Sequence, residues 1–140
     1  MTDQIHGAAR RKRPMSPHFT IYRWPVTMAT SITHRVTGVG LSAGTLLVAW
    51  WLIAVQFGPD LYEPFSAFVS SIIGQLILFG FVWALAYHLC NGIRHLAWDL
   101  GYGFNIRTAH WTGILVFALS IVIAVSAFAF AYAERGLAPL

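Results

Sequence analysis

Three stretches of this chain, Val36 to Pro59, Pro64 to Ile93 and Thr108 to Ala133, contain no Asp, Glu, Lys or Arg. Each meets the roughly 20 residues that a helix needs to cross the hydrocarbon core of a bilayer. With 140 residues there is room for one soluble domain or for a few membrane helices. Composition decides for the helices: 10% of the residues are charged, against about 25% in ordinary soluble domains. The expected fold is therefore all-α and integral to the membrane, with three transmembrane helices.

In chain order, residues 1–29 form a basic tail and an interfacial lead-in. The tail ends in Arg10-Arg11-Lys12-Arg13, suited to solvent and anionic headgroups, and residues 1–13 carry no sign of packed structure. No apolar core follows Met1 to Lys12 directly, which argues against a cleaved secretory peptide. From Pro14 to Pro25 the prolines discourage a continuous helix, while Tyr22 and Trp24 suit the headgroup layer. Spans are expected at 30–57, 65–98 and 110–132, joined by a short link holding Asp60 and Glu63 and by a glycine-punctuated loop from Asp99 to Arg107. Gly40 and Gly44 make a Gly-x-x-x-Gly pair that admits close helix packing, and Gln75 is expected to make an interhelical hydrogen bond.

Charge sets the orientation. Arg10, Arg11, Lys12, Arg13, Arg23, Arg35, Arg94 and Arg107 fall on one side of this layout and Arg135 alone on the other. The positive-inside tendency then places the amino terminus and the second loop inside, and the carboxyl terminus outside. The net charge of +4 is explained by this bias rather than by nucleic acid.

The chemistry sits in Tyr87-His88-Leu89-Cys90-Asn91-Gly92-Ile93-Arg94-His95. Two imidazoles seven residues apart share a helix face, about 10.5 Å apart along the axis, so they cannot grip one metal from opposite sides. Ala84 and Gly92, four residues before and after His88, leave that face bare of bulk. A flat ligand fits the gap, and a neutral imidazole is a good axial ligand for haem iron. An ionisable group at this depth is a functional candidate by default, with a hydrogen-bonded packing histidine as the plainer reading of His88. His95, Arg94 and Arg35 are candidates for haem propionates, and Arg35 also for a quinone. For His95 the alternative is a solvated helix-end side chain. Ser31, His34 and Arg35 approach one patch at the start of the first span. On the residues alone Ser31 reads first as a helix cap or backbone-bonding serine, and second as a hydrogen-bonding partner of a quinone carbonyl. No evident opposite iron ligand is present, so a partner subunit is expected to supply it. Cys90 stands alone, which excludes an internal disulfide and a cysteine set for an iron–sulfur cluster.

Ser31-Ile32-Thr33-His34-Arg35-Val36-Thr37-Gly38, preceded by Arg13-Pro14-Met15-Ser16-Pro17-His18 and Ile21-Tyr22-Arg23, resembles one signature of the succinate dehydrogenase cytochrome b556 subunits. His88-x-x-x-Gly92-Ile93-Arg94-His95 with Trp98-Asp99 resembles the other. The resemblance covers essentially the whole chain. It implies a membrane anchor of respiratory complex II, forming a haem-binding bundle with a second anchor subunit and carrying an iron–sulfur subunit and a flavoprotein subunit that holds FAD. It further implies His88 as axial ligand of haem b, Ser31 and Arg35 at ubiquinone, and His34 between quinone and a propionate, with His95 near the propionates. The chain would not be catalytic alone. A bacterial inner membrane is the expected location, with a mitochondrial inner membrane as the alternative. A quinol:fumarate reductase anchor and a haem-free structural anchor remain the competing readings, and a proton-conducting subunit is disfavoured by the two signatures and by the lack of inverted repeats and broken helices in the sequence pattern.

Overall fold

A computed structural model describes residues 23–137, with side chains to residue 134. The basic run Arg10 to Arg13 and most of the lead-in, including Pro14, Pro17, His18 and Tyr22, lie outside the described residues. Four helices follow in order: α1 Val26–Phe57, α2 Pro59–Ser70, α3 Ile72–Asp99 and α4 Ile106–Leu137. Three of them, α1, α3 and α4 (over Ile106–Glu134), are long and apolar enough to cross a membrane.

The helix ends follow from local chemistry. Pro25, extended at φ −71° and ψ 147°, precedes the first turn of α1, and its carbonyl accepts from the Met28 and Ala29 amides. Gly58 stops α1 at φ 97°, a conformation that a Cβ disfavours, and Pro59 then opens α2, where its missing N–H costs nothing. The long run expected as one span over 65–98 is divided at Ser71. This serine leaves the helical region (ψ 156°), and its Oγ accepts from the Gly74 amide at 3.0 Å to cap α3. A Cβ at Gly74 would run into the Phe68 carbonyl oxygen, so glycine lets this corner close. After α3, Gly101 (φ 87°) and Gly103 (φ 83°) turn the chain, and Asn105 Oδ1 accepts from the Arg107 amide to cap α4.

α1, α3 and α4 pack as an antiparallel trio. Along α1 and α3, His34 and Gly38 meet His88 while Gly44 meets Phe81. Along α3 and α4, Tyr87 lies beside Phe117, Phe79 beside Phe128, and the Tyr132 hydroxyl donates to Gln75 Oε1 at 2.6 Å. That last bond is the interhelical contact expected of Gln75. The amino-terminal ends of α1 and α4 thus gather with the carboxyl-terminal end of α3. α2 folds back at the opposite end, where Phe65 meets Trp50 edge to face.

Small and polar residues fill the centre: Tyr87, Asn91, Ser120, Ala54 and Ala124 are fully buried. Large apolar side chains such as Val39, Leu46, Leu89 and Leu115 face outward. This inversion is what lipid and partner helices require, because in a bilayer close packing and hydrogen bonds hold helices together. Of the Gly-x-x-x-Gly pair, Gly44 admits the Phe81 ring, whereas a Cβ at Gly40 would meet nothing. The pair therefore receives a side chain on one residue instead of a helix backbone on both.

Candidate functional site

Ser31, His34, Arg35, His88, Arg94 and His95 all lie at the end where α1 begins and α3 finishes, as the charge pattern predicts. Within that end they divide into two groups. Three imidazoles form a stack: the His34 ring lies 3.8 Å from His88, with planes 14° apart, and 5.2 Å from His95, with planes 17° apart. His34, expected near the interface in the same half of the bilayer, is thus placed against the α3 histidines. Parallel stacking also means that the imidazole nitrogens do not converge. Among the described residues no cluster of His, Cys, Asp or Glu could chelate a metal ion. The arrangement suits one axial bond from one histidine.

Each outer imidazole is oriented through its Nδ1. His88 Nδ1 is 3.3 Å from Thr37 Oγ1, and His95 Nδ1 is 2.8 Å from the Asn91 carbonyl oxygen. An Nδ1 facing a carbonyl must carry the proton, which leaves His95 Nε2 as the bare nitrogen. On His88, Nε2 makes no hydrogen bond among the described residues and is not among the buried unpaired atoms, so it is neither bonded nor fully buried. His34 Nδ1, in contrast, is buried without a partner.

Space matches this polarity. A Cβ at Gly38 would come within 3.2 Å of His88 Cε1, so Gly38 seats the ring against α1. A Cβ at Gly92 would meet nothing within 4 Å, so the strip beyond the ring is bare. Deeper between α1 and α3 a groove is lined by small residues, Gly40, Ala43, Gly80 and Ala84, together with Leu47, Ile77 and Phe81. These features fit a flat macrocycle held by His88 Nε2.

Arg94 does not join the stack. Its guanidinium is buried among α1, α3 and α4. Nε donates to Thr112 Oγ1 at 3.1 Å, one terminal nitrogen to Thr30 Oγ1 at 3.1 Å and Asn91 Oδ1 at 3.3 Å, and the other to the Ala109 carbonyl at 2.8 Å. The group also lies 4.1 Å from the Trp98 ring centre. The sequence reading expects Arg94 near the propionates; in the structure four of its five N–H donors bind neutral acceptors of the protein. Beside it the Tyr87 hydroxyl donates to the Thr30 carbonyl at 2.9 Å, a second tie between α3 and α1.

Ser31 and Arg35 are uncommitted polar groups near the start of α1. Thr30, Thr37, Ser42 and Thr45 all return their hydroxyl protons to a carbonyl three or four residues back. Ser31 does not, although it is in the same helix, and Pro25 holds the capping position. Its hydroxyl makes no hydrogen bond among the described residues, and neither does the exposed Arg35 guanidinium one turn later. Neither the cap nor the backbone-bonding reading of Ser31 holds. Sequence reasoning missed Thr37 and Asn91, the partners of the two imidazoles; a hydroxyl three residues after His34 was the available signal.

The profile of the succinate dehydrogenase/fumarate reductase transmembrane subunits matches residues 9–127. The chain belongs to this family. The succinate dehydrogenase cytochrome b556 subunit of Paracoccus denitrificans is 45% identical over 116 residues, 83% of this chain and 89% of that protein. Its counterpart from Rickettsia prowazekii is 43% identical over 112 residues, 80% of this chain and 87% of the relative. The mitochondrial cytochrome b560 subunit of Bos taurus is 42% identical over 118 residues, covering 81% and 68% respectively. The three apolar helices are accordingly those of a membrane-anchor subunit of the succinate dehydrogenase type, and both signatures fall inside the matched range.

Proposed function

We propose that this chain is the haem b-carrying anchor of a succinate:ubiquinone oxidoreductase in a bacterial inner membrane, with its amino terminus inside. The observation that carries this reading is the open Nε2 of His88 at the same end of the bundle as the uncommitted Ser31 and Arg35. The relatives named above favour succinate oxidation over fumarate reduction.

His88 would hold the haem iron through Nε2, and the other anchor subunit would supply a further ligand. Haem b, when bound, would supply a one-electron reservoir. His95, its Nδ1 held by the Asn91 carbonyl, would offer Nε2 to the haem propionates, and His34 would serve between propionate and quinone. Ser31 donates its hydroxyl proton to a ubiquinone carbonyl. Arg35 holds the same head group and stabilises the negative charge that gathers on its oxygens during reduction. Flavin and iron–sulfur centres in the partner subunits deliver the electrons from succinate, so the chain is not catalytic alone.

The test is co-expression of His88→Ala and the parent with their partner subunits, followed by reduced-minus-oxidised spectra and succinate–quinone turnover of the purified complexes. Loss of the haem b bands in the variant supports the assignment. Unchanged bands remove His88 from the iron, and a parent without haem moves the structural-anchor reading ahead.

A further inference from the structure

One hydroxyl in this end of the bundle has two partners, and their order fixes the chemistry of the histidine beside it. Thr37 Oγ1 lies 3.0 Å from the His34 carbonyl oxygen and 3.3 Å from His88 Nδ1. A carbonyl only accepts, and the Thr37 hydroxyl donates its single proton to the nearer of its two partners, the His34 carbonyl. What remains toward His88 is a lone pair, and a lone pair attracts an N–H. Thr37 is itself buried, 4% exposed, which removes competing water.

We propose that Thr37 is a positioning residue for His88: its hydroxyl accepts from Nδ1–H, holds the imidazole in the tautomer whose bare nitrogen is Nε2, and increases the electron donation of Nε2 to a bound haem iron. The inference rests on the His88 assignment made above. His34 assists twice, because its carbonyl takes the Thr37 proton and its ring lies flat on His88, and Gly38 confines the third side. A hydrogen bond to the remote nitrogen of a metal-bound histidine raises ligand basicity. A more basic ligand favours the oxidised metal, so this bond lowers the haem midpoint potential, and its removal raises it.

The experiment is a redox titration of haem b in the purified four-subunit complex carrying Thr37→Val, Thr37→Ala or Thr37→Ser, with His88→Ala alongside. Valine keeps the shape and deletes the hydroxyl; alanine serves if the valine variant does not assemble; serine restores the acceptor. The expected result is a raised midpoint potential in Thr37→Val and Thr37→Ala, haem retention weakened roughly 10- to 100-fold against detergent washing, and parental behaviour in Thr37→Ser. Potentials equal to the parent in the two hydroxyl-free variants overturn the proposal, even if thermal stability falls, since a packing role alone moves stability and not potential. If His88→Ala loses its haem while the Thr37 variants titrate like the parent, the inference fails and the axial assignment stands. If His88→Ala keeps its haem, both fail together.

Discussion

The imidazole of His34 lies flat on that of His88, with ring centres 3.8 Å apart and planes 14° from parallel, although 54 residues separate them in the chain. Stacking on this face leaves the His88 ring free to turn only about directions that Gly38 and Thr37 also restrict. The nitrogen proposed to bind iron is thereby aimed before any ligand arrives, and pre-aiming lowers the ordering cost of binding.

Replacing His34 with alanine removes that wall without touching the proposed axial bond. The His34→Ala complex is expected to keep haem b but hold it roughly 10-fold less tightly, the lower end of what supporting side chains contribute at metal sites. Haem content per flavin after successive detergent washes measures this. Retention equal to the parent would show that the stack is incidental to haem binding.

For Ser31 the prediction concerns the quinone and leaves the bundle alone. Its hydroxyl makes no hydrogen bond among the described residues, so Ser31→Ala should melt at the parental temperature. Losing one hydrogen bond to a quinone carbonyl costs about 1 kcal/mol, which raises KM for ubiquinone about 5- to 10-fold. Succinate oxidation with an artificial dye that accepts electrons upstream should be unchanged. A dye assay that falls in parallel with quinone turnover would place the defect in assembly.

Arg94 gives the opposite signature. Its guanidinium joins Thr30 of α1 to Thr112 and Ala109 of α4, and a lysine has neither the forked geometry nor enough donors for all four partners. Interhelical hydrogen bonds within membranes average about 0.6 kcal/mol each, and those to charged groups are stronger. Arg94→Lys should therefore destabilise the anchor by roughly 2–3 kcal/mol, seen as a lower melting temperature and a smaller yield of assembled complex. The complexes that do assemble should titrate at the parental haem potential. A shifted potential with unaltered melting would return Arg94 to the propionates.

The contrast between Arg94 and the histidines shows which parts of the site are legible in a sequence. The three charge-free runs announce the spanning helices, and the charges at their borders announce that the polar residues share one end, because both are properties of single segments. The partners of Arg94 and His34 are set by how α1, α3 and α4 meet, which no periodicity within one helix encodes. The break at Ser71 was hidden for a related reason. Pro64 to Ile93 is free of charge throughout, and hydropathy records apolar length without recording where the axis turns. The turn depends on a serine hydroxyl and on the missing Cβ of Gly74.

Glycines on the α1–α3 face separate packing from ligand binding. A Cβ at Gly44 would collide with the Phe81 ring, whereas one at Gly92 would meet nothing in the chain itself. Gly44→Leu should therefore force the helices apart and lower the yield of the assembled complex, with haem lost only as a consequence. Gly92→Leu should leave the isolated anchor's helix content and melting unchanged, yet block the bare strip beside His88 where a macrocycle would lie. Haem occupancy in the Gly92→Leu complex is expected to fall several-fold while the fold of the anchor persists. Full haem occupancy in that variant would mean that the ring plane does not pass over Gly92, and the groove lined by Gly40, Ala43 and Gly80 would become the surface to block next.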